Sequence, residues 1–371
     1  SRTKKVTNMT RTSALINSMP YSDPAQTSYI PVKGEVSDRE AWSAPSAQIR
    51  MSYPPVWLAL HADILVSGNH KEIVAVDAKK GSALWNEPIR NHFTLMCNEH
   101  GVLVNRYTQW RSYDSSTKVS LDAATPGNSY ITYYHSDEEV NWYGYYTTKI
   151  PVPRGKILNY WFQFNRHLPG REMFEWYYRV DGKALGSLCN REKTRFYIVM
   201  PERIHHFPVT ADNEDQVKKF DIPSIESFAL DHKESLTLVV HEDGMPFLKQ
   251  FTDEGEELWK VQLLGTSQSK QPPASSPQGT IYYGERNSIL AVENGEEKWR
   301  LPLAEDPSYF YITVLSDNSL LVASGNRLLS ISEEGKIINT VVVPFTMTCR
   351  PIMGYDGEVY VGGSEGIQCL K

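Results

Sequence analysis

The sequence predicts an all-β fold, a β-propeller of eight four-stranded blades, and three observations lead there. First, the stretch IYYGERNSILAVENGEEKW at 281–299 has counterparts in DILVSGNHKEIVAVDAKKGSALW, which ends at Trp85, and in SLLVASGNRLLSISEEGKII at 319–338. Each copy is an apolar run, a polar turn, a second apolar run and a Gly-containing turn. Second, the turn glycines Gly255, Gly295 and Gly335 recur every 40 residues, as do Trp259 and Trp299, while the hairpin turns at Gly279, Asn318 and Gly357 recur every 39. Third, the apolar runs are short, β-branched and aromatic, and Gly, Asn or Asp breaks them, which is the pattern of strands and tight turns. A repeat of about 40 residues holding several strands marks a propeller or solenoid. A single four-stranded sheet cannot bury both faces, and radial stacking covers them. A β-sandwich with coincidental turn spacing is the plain alternative.

Taken in order, residues 1–30 are polar, rich in Ser, Thr and Asn, and aperiodic, so a flexible N-terminal arm, disordered or draped over the surface, is expected there. The remainder, 31–371, reads as a single propeller domain. EAWSAP, with Trp42, is an isolated copy of the end of a repeat. The first full repeat, 53–89, has strands expected near 55–60, 64–67, 72–77 and 82–86. The second, 91–123, lacks a closing Trp. The third region, 124–188, is too long for one repeat, and SYITYYH with VNWYGYYTT reads as an aromatic-rich insertion at about 124–150. Residues 189–223 form a degenerate fourth repeat. Regular repeats follow at 224–264, 265–303 and 304–344. The last repeat shows only three strands, so the sequence predicts that residues 35–45 supply its fourth strand and close the ring. Seven blades remain the alternative, with 124–223 as one large blade.

Composition excludes several functions. The chain has 371 residues, 40% of them hydrophobic, and a net charge of −6 from 38 basic and 44 acidic residues. That content supports a real core, and the balance offers no basic field for nucleic acid. No apolar run approaches the ~20 residues of a membrane span. No signal peptide is visible in a chain that starts at Ser1, which fits a processed form. Cys97, Cys189, Cys349 and Cys369 stand apart without a CxxC pair, and buried free thiols are the expected reading.

The candidate site is aromatic. Residues 129–178 hold fifteen of the 42 Phe, Tyr and Trp of the chain, far more than their share of its length. Strand alternation sends Trp142 to one face and Tyr143 and Tyr145 to the other. Exposed Tyr and Trp offer rigid amphipathic contact area for protein or sugar. Trp142, Tyr143, Tyr145 and Trp161 are therefore the expected ligand-binding residues, against the plainer reading that blade faces need aromatics to pack. His205 and His206 are adjacent on one strand and point to opposite faces, so they cannot share an ion. Asp212, Glu214 and Asp215 lack the ligand spacing of a calcium loop. No catalytic residue, metal site or cofactor is expected.

VAVDAKKGSALW, with Leu290-Ala291-Val292, Gly295 and Trp299 and with Gly255 and Trp259, resembles the repeat of the quinoprotein-dehydrogenase-like (PQQ-repeat) propellers. The resemblance implies that Trp85, Trp259, Trp299 and Trp42 wedge between neighbouring blades. It also implies a quinone and calcium in the catalytic members, together with an adjacent Cys pair that this chain lacks. The non-catalytic members are cell-envelope or secreted scaffolds. The expected function is thus a non-catalytic binding or scaffold propeller, periplasmic or secreted, for a protein or carbohydrate ligand. The rival is a polysaccharide lyase or hydrolase at the central channel. A quinone-dependent dehydrogenase is a further alternative.

Overall fold

The computed structural model describes residues 22–371, with gaps at 24, 62, 70, 89–94, 181–183, 193, 209–210, 267–268 and 304–309; between 95 and 180 it describes strands alone, with side chains at Tyr178 and Val180. The expected arm up to residue 21 lies outside the described residues.

The chain is a β-propeller. Among the described residues, its strands pair into eight four-stranded antiparallel sheets, taken here in chain order as the first to the eighth. Seven are consecutive, at 57–88, 95–124, 131–180, 186–221, 225–262, 274–302 and 310–342. The eighth joins Ile352–Met353, Val359–Gly363 and Gly366–Leu370 to Glu40–Pro45, whose Trp42 lies opposite Cys369. The first strands of successive sheets lie against one another, as Trp57–His61 does on Leu95–Asn98 and Ala274–Ser275 on Phe310–Val314, so they form the inner wall. Side chains of neighbouring sheets fill the space between, and fully buried Leu65, Val74 and Val76 share one cluster with Leu321, Val361 and Ile367.

One local device recurs. Val76 is opposite Ala83 and Ala75 opposite Trp85, so Leu84 bulges out of the ladder. The same slip leaves out Leu258, Lys298 and Ile338 in the fifth, sixth and seventh sheets. A bulge re-aims the next side chain, and here that residue is Trp85, Trp259, Trp299 or Asn339. It also explains why the apolar side chains of Leu84 and Leu258 are 40% and 51% exposed.

One expectation changes. SYITYYH and VNWYGYYTT are the two inner strands of the third sheet, Ile131–Ser136 and Trp142–Pro151, rather than an added hairpin. Leu158–Leu168 and Arg171–Val180 complete that sheet with eleven and ten residues, so its length comes from long strands. The described part of the arm is also seated: Ser22, Ala25, Thr27, Ser28 and Ile30 are buried. Of the two readings of the arm, the draped one describes this segment, which backbone bonds hold against the ring.

Candidate functional site

The wedge positions separate packing from function. Gly81, Gly295 and Gly335 sit at φ 72°, 80° and 81°, in the left-handed region that glycine enters freely. A Cβ on Gly81 would lie 2.3 Å from Trp42, one on Gly295 2.6 Å from Trp259, and one on Gly335 2.5 Å from Trp299. Each tryptophan lies on the turn of the following sheet, and Trp42 of the eighth lies on the first. The Trp42 indole donates to Ala78 O at 2.9 Å and that of Trp299 to Glu333 O at 2.8 Å. Trp85 is half-buried against the core of its own sheet. The fourth sheet has no such tryptophan, yet Phe220 meets Gly255, where a Cβ would be 2.8 Å away. At the seventh the position is Asn339, whose amide donates to Val36 O at 2.8 Å. Trp42, Trp259, Trp299 and Phe220 thus hold neighbouring sheets together and are not free to bind a ligand.

One mouth of the ring is occupied by the chain itself. Residues 23–34 cross the same ends of five consecutive inner strands, those of the fourth to eighth sheets. Leu230 donates to Ala25 O at 2.8 Å, Ser275 to Thr27 O and Val314 to Ser28 O, both at 2.9 Å, and Ser316 to Val32 O at 2.9 Å. Asp23 anchors the start: Thr27 Oγ1 donates to its Oδ2 at 2.5 Å, and Arg191 approaches at 3.5 Å. Burial raises the Asp23 carboxyl, against the opposing pull of Thr27 and Arg191. The Tyr29 ring meets His232 edge-on at 5.1 Å, with the Arg191 guanidinium 5.8 Å from its centre. His232 Nδ1 is 3.2 Å from Ser275 Oγ. Burial, with Arg191 second, lowers His232 from its usual 6.5 to about 4, so the ring is neutral near pH 7. Arg191 is thus engaged with the segment that covers this mouth.

The opposite mouth carries an extension. In the third sheet the inner strand begins at Ile131, opposite Tyr146. Among the described residues Thr147–Pro151 therefore has no inner neighbour, while it still pairs with Leu158–Phe162. The outer strands run on past the inner wall by about 16 Å, at ~3.3 Å per residue.

The structure distributes the four expected ligand residues rather than gathering them. Their side chains lie outside the described residues, but the register places them. Tyr178 is buried, its hydroxyl 2.7 Å from His205 Nδ1 of the fourth sheet. Phe162 is opposite Tyr178 and Thr147 opposite Phe162, and Tyr143 and Tyr145 alternate in register with Thr147. Trp142 and Trp161 share the other face. Trp161, opposite Thr148, is on the extension, whereas Trp142, opposite His167, is about six rows or ~20 Å away.

His205 and His206 do part, as their adjacency predicts. His206 stacks on Tyr197 at 5.3 Å and lies 2.9 Å from Arg195, while His205 meets Tyr178. Cys189, Cys349 and Cys369 are buried free thiols, and burial pushes Cys349 and Cys369 up to about 12. Among the described residues no three His, Cys, Asp or Glu side chains are grouped to hold a metal ion. No helix among them is long and apolar enough to cross a membrane.

No family model and no curated protein matches the chain. Among solved structures it is similar to BamB from Moraxella catarrhalis, with 12% identity, 83% of this chain and 79% of that one covered, and a TM-score of 0.43. It is also similar to Hsv2 from Kluyvelomyces marxianus, with 11% identity, 78% and 98% coverage, and a TM-score of 0.49.

Proposed function

We propose that this chain is a non-catalytic binding scaffold that recognises a protein or carbohydrate ligand, in the periplasm or outside the cell. The observation that carries the reading is the third sheet, whose three outer strands stand past the inner wall at the mouth that residues 23–34 leave open. Trp161 leads the expected contacts because it is on that extension, followed by Trp142, Tyr143 and Tyr145. Aromatic side chains on a rigid sheet supply contact area at low entropic cost. The repeated glycine and tryptophan wedge supports membership of the non-catalytic PQQ-like propellers, and the location follows from that resemblance alone. We take residues 31–371 as a single domain of eight blades, closed by Glu40–Pro45; the pairing with Gly366–Leu370 and the seat of Trp42 on Gly81 support this.

The test is a screen of the purified chain against a glycan array and cell-envelope protein fractions, with titration of each hit. Trp161→Ala should weaken binding at least about tenfold, and Trp142→Ala less. Unchanged affinity in Trp161→Ala would sink the proposed surface. Release of reducing ends from a polysaccharide would replace the scaffold reading with the lyase or hydrolase.

A further inference from the structure

The outer strand of a propeller blade has one edge with no neighbour, and unpaired backbone groups along such an edge invite another strand. Charge or proline normally guards it. In this chain the outer strands of the other seven sheets carry a guard: Glu40 and Pro45, Glu87 and Pro88, Asp122, Arg171 and Glu175, Lys218 and Lys219, Glu257 and Lys260, Glu296 and Arg300. The outer strand of the seventh, Ile337–Val342, reads IINTVV and has none. Its Ile337, Ile338 and Val342 are 45%, 67% and 67% exposed.

We propose that this edge is a two-fold interface between two copies of the chain, centred on Thr340. The register carries the choice of occupant. Val343 donates to Asn326 O at 2.8 Å, so that pair is the hydrogen-bonded kind. Pair types alternate along an antiparallel ladder. Val341 and Asn339 therefore turn their backbone groups inward to Arg327–Ile331, and Thr340 and Val342 turn theirs outward. An antiparallel two-fold pairing keeps each face on its own side. It therefore joins residues an even number apart, Thr340 to its own copy and Ile338 to Val342. Thr340 and Val342, with outward backbone groups, are exposed, and so is Ile338. These three read alike in both directions, branched aliphatic against branched aliphatic and threonine against threonine. No like charges meet at this seam. The bulge at Ile338 limits the regular pairing to the stretch that follows it, so a reversible dimer is expected. The acidic net charge opposes it at long range, so salt should strengthen it.

Sedimentation of the full chain over a concentration series, at low and high salt, tests this. The expected result is a monomer–dimer equilibrium that tightens with salt, with the Thr340 and Val342 amides protected from exchange in the dimer. Thr340→Lys sets like charges across the axis and Thr340→Pro removes the central donor. Each should weaken association at least about tenfold, and Thr340→Lys should leave the melting temperature unchanged. A monomer at every concentration would overturn the proposal. So would a dimer indifferent to both variants, or Thr340 and Val342 amides protected only when an unrelated strand-bearing protein is added.

Discussion

The fourth and sixth sheets solve one packing problem with different sequences. In the sixth, a turn glycine, a bulge at Lys298 and Trp299 follow in order, and the indole lands on Gly335. In the fourth, the ladder from Arg203–Asp221 to His206–Lys218 runs without a slip, the turn holds a short 3-10 helix at Glu214–Gln216, and the aromatic is Phe220. It still lands on Gly255. The receiving glycine is therefore the fixed part of the joint, since only a residue without Cβ leaves room at positive φ. The delivering aromatic can vary, as can the route that brings it.

Removing residues 1–48 tests the joint most severely, because it takes away Trp42, the outer strand of the eighth sheet and the segment across the mouth. A fall in melting temperature of ~10 °C or more is expected, and an unchanged transition would refute closure by Glu40–Pro45. Trp42→Ala isolates the wedge and should cost ~3–5 kcal/mol in denaturant unfolding; Trp299→Ala, on a half-buried ring, should cost less. If both are neutral, the aromatic is not the adhesive. On the receiving side, Gly335→Ala should cost ~2–3 kcal/mol from strain and collision together. Gly244→Ala shares a positive φ of 78° but would meet nothing within 4 Å, so strain of ~1 kcal/mol is all it should show. Equal losses at the two glycines would remove the contact from the explanation.

The smallest effect separates the two regions by pH. Burial first, then Arg195, lowers His206 in the fourth sheet from 6.5 to about 4, as burial and Arg191 do for His232 in the fifth. A folded value below the unfolded one means that the unfolded chain takes up the proton first as pH falls. The stability involved is complete above pH 6.5 and is lost on the way down to about 4. Melting temperature should decline across that window, and less steeply in His206→Gln and His232→Gln. A slope unaltered in both variants would show that neither ring stays neutral in the fold.

The legible parts of this chain were those where backbone geometry restricts residue type. Glycines at positive φ recur with the sheets, so a 40-residue spacing read from 255, 295 and 335 carried the architecture. Phe220 was not legible, because it follows no turn glycine and its partner is in the next sheet. The outward turn of Leu258 was not legible, because a bulge of one residue leaves no mark in the sequence. Residues 23–34 were not legible, because their carbonyls do the holding and carbonyls have no sequence signature. The aromatic richness of 129–178 was plain. Its division between an extension and the body of the sheet needed the register of Thr147–Pro151, which composition does not encode.

The pairing of Glu40–Pro45 with Gly366–Leu370 also fixes an order of events during synthesis. Gln368 Nε2 donates to Glu40 Oε1 across 328 positions of sequence. Bringing together ends that far apart costs about 5 kcal/mol of chain entropy if nothing between them is organised. Glu40–Pro45 is made before the strands of the seven consecutive sheets and is the last to find its neighbour strand. Until Gly366–Leu370 appears, every preceding sheet can form and stack and the Trp42 ring can rest on Gly81, but Glu40–Pro45 has no strand to pair with and the eighth sheet has no rim. A nascent chain stalled short of residue 366 should accordingly remain protease-sensitive at its N-terminal end while its middle is already resistant.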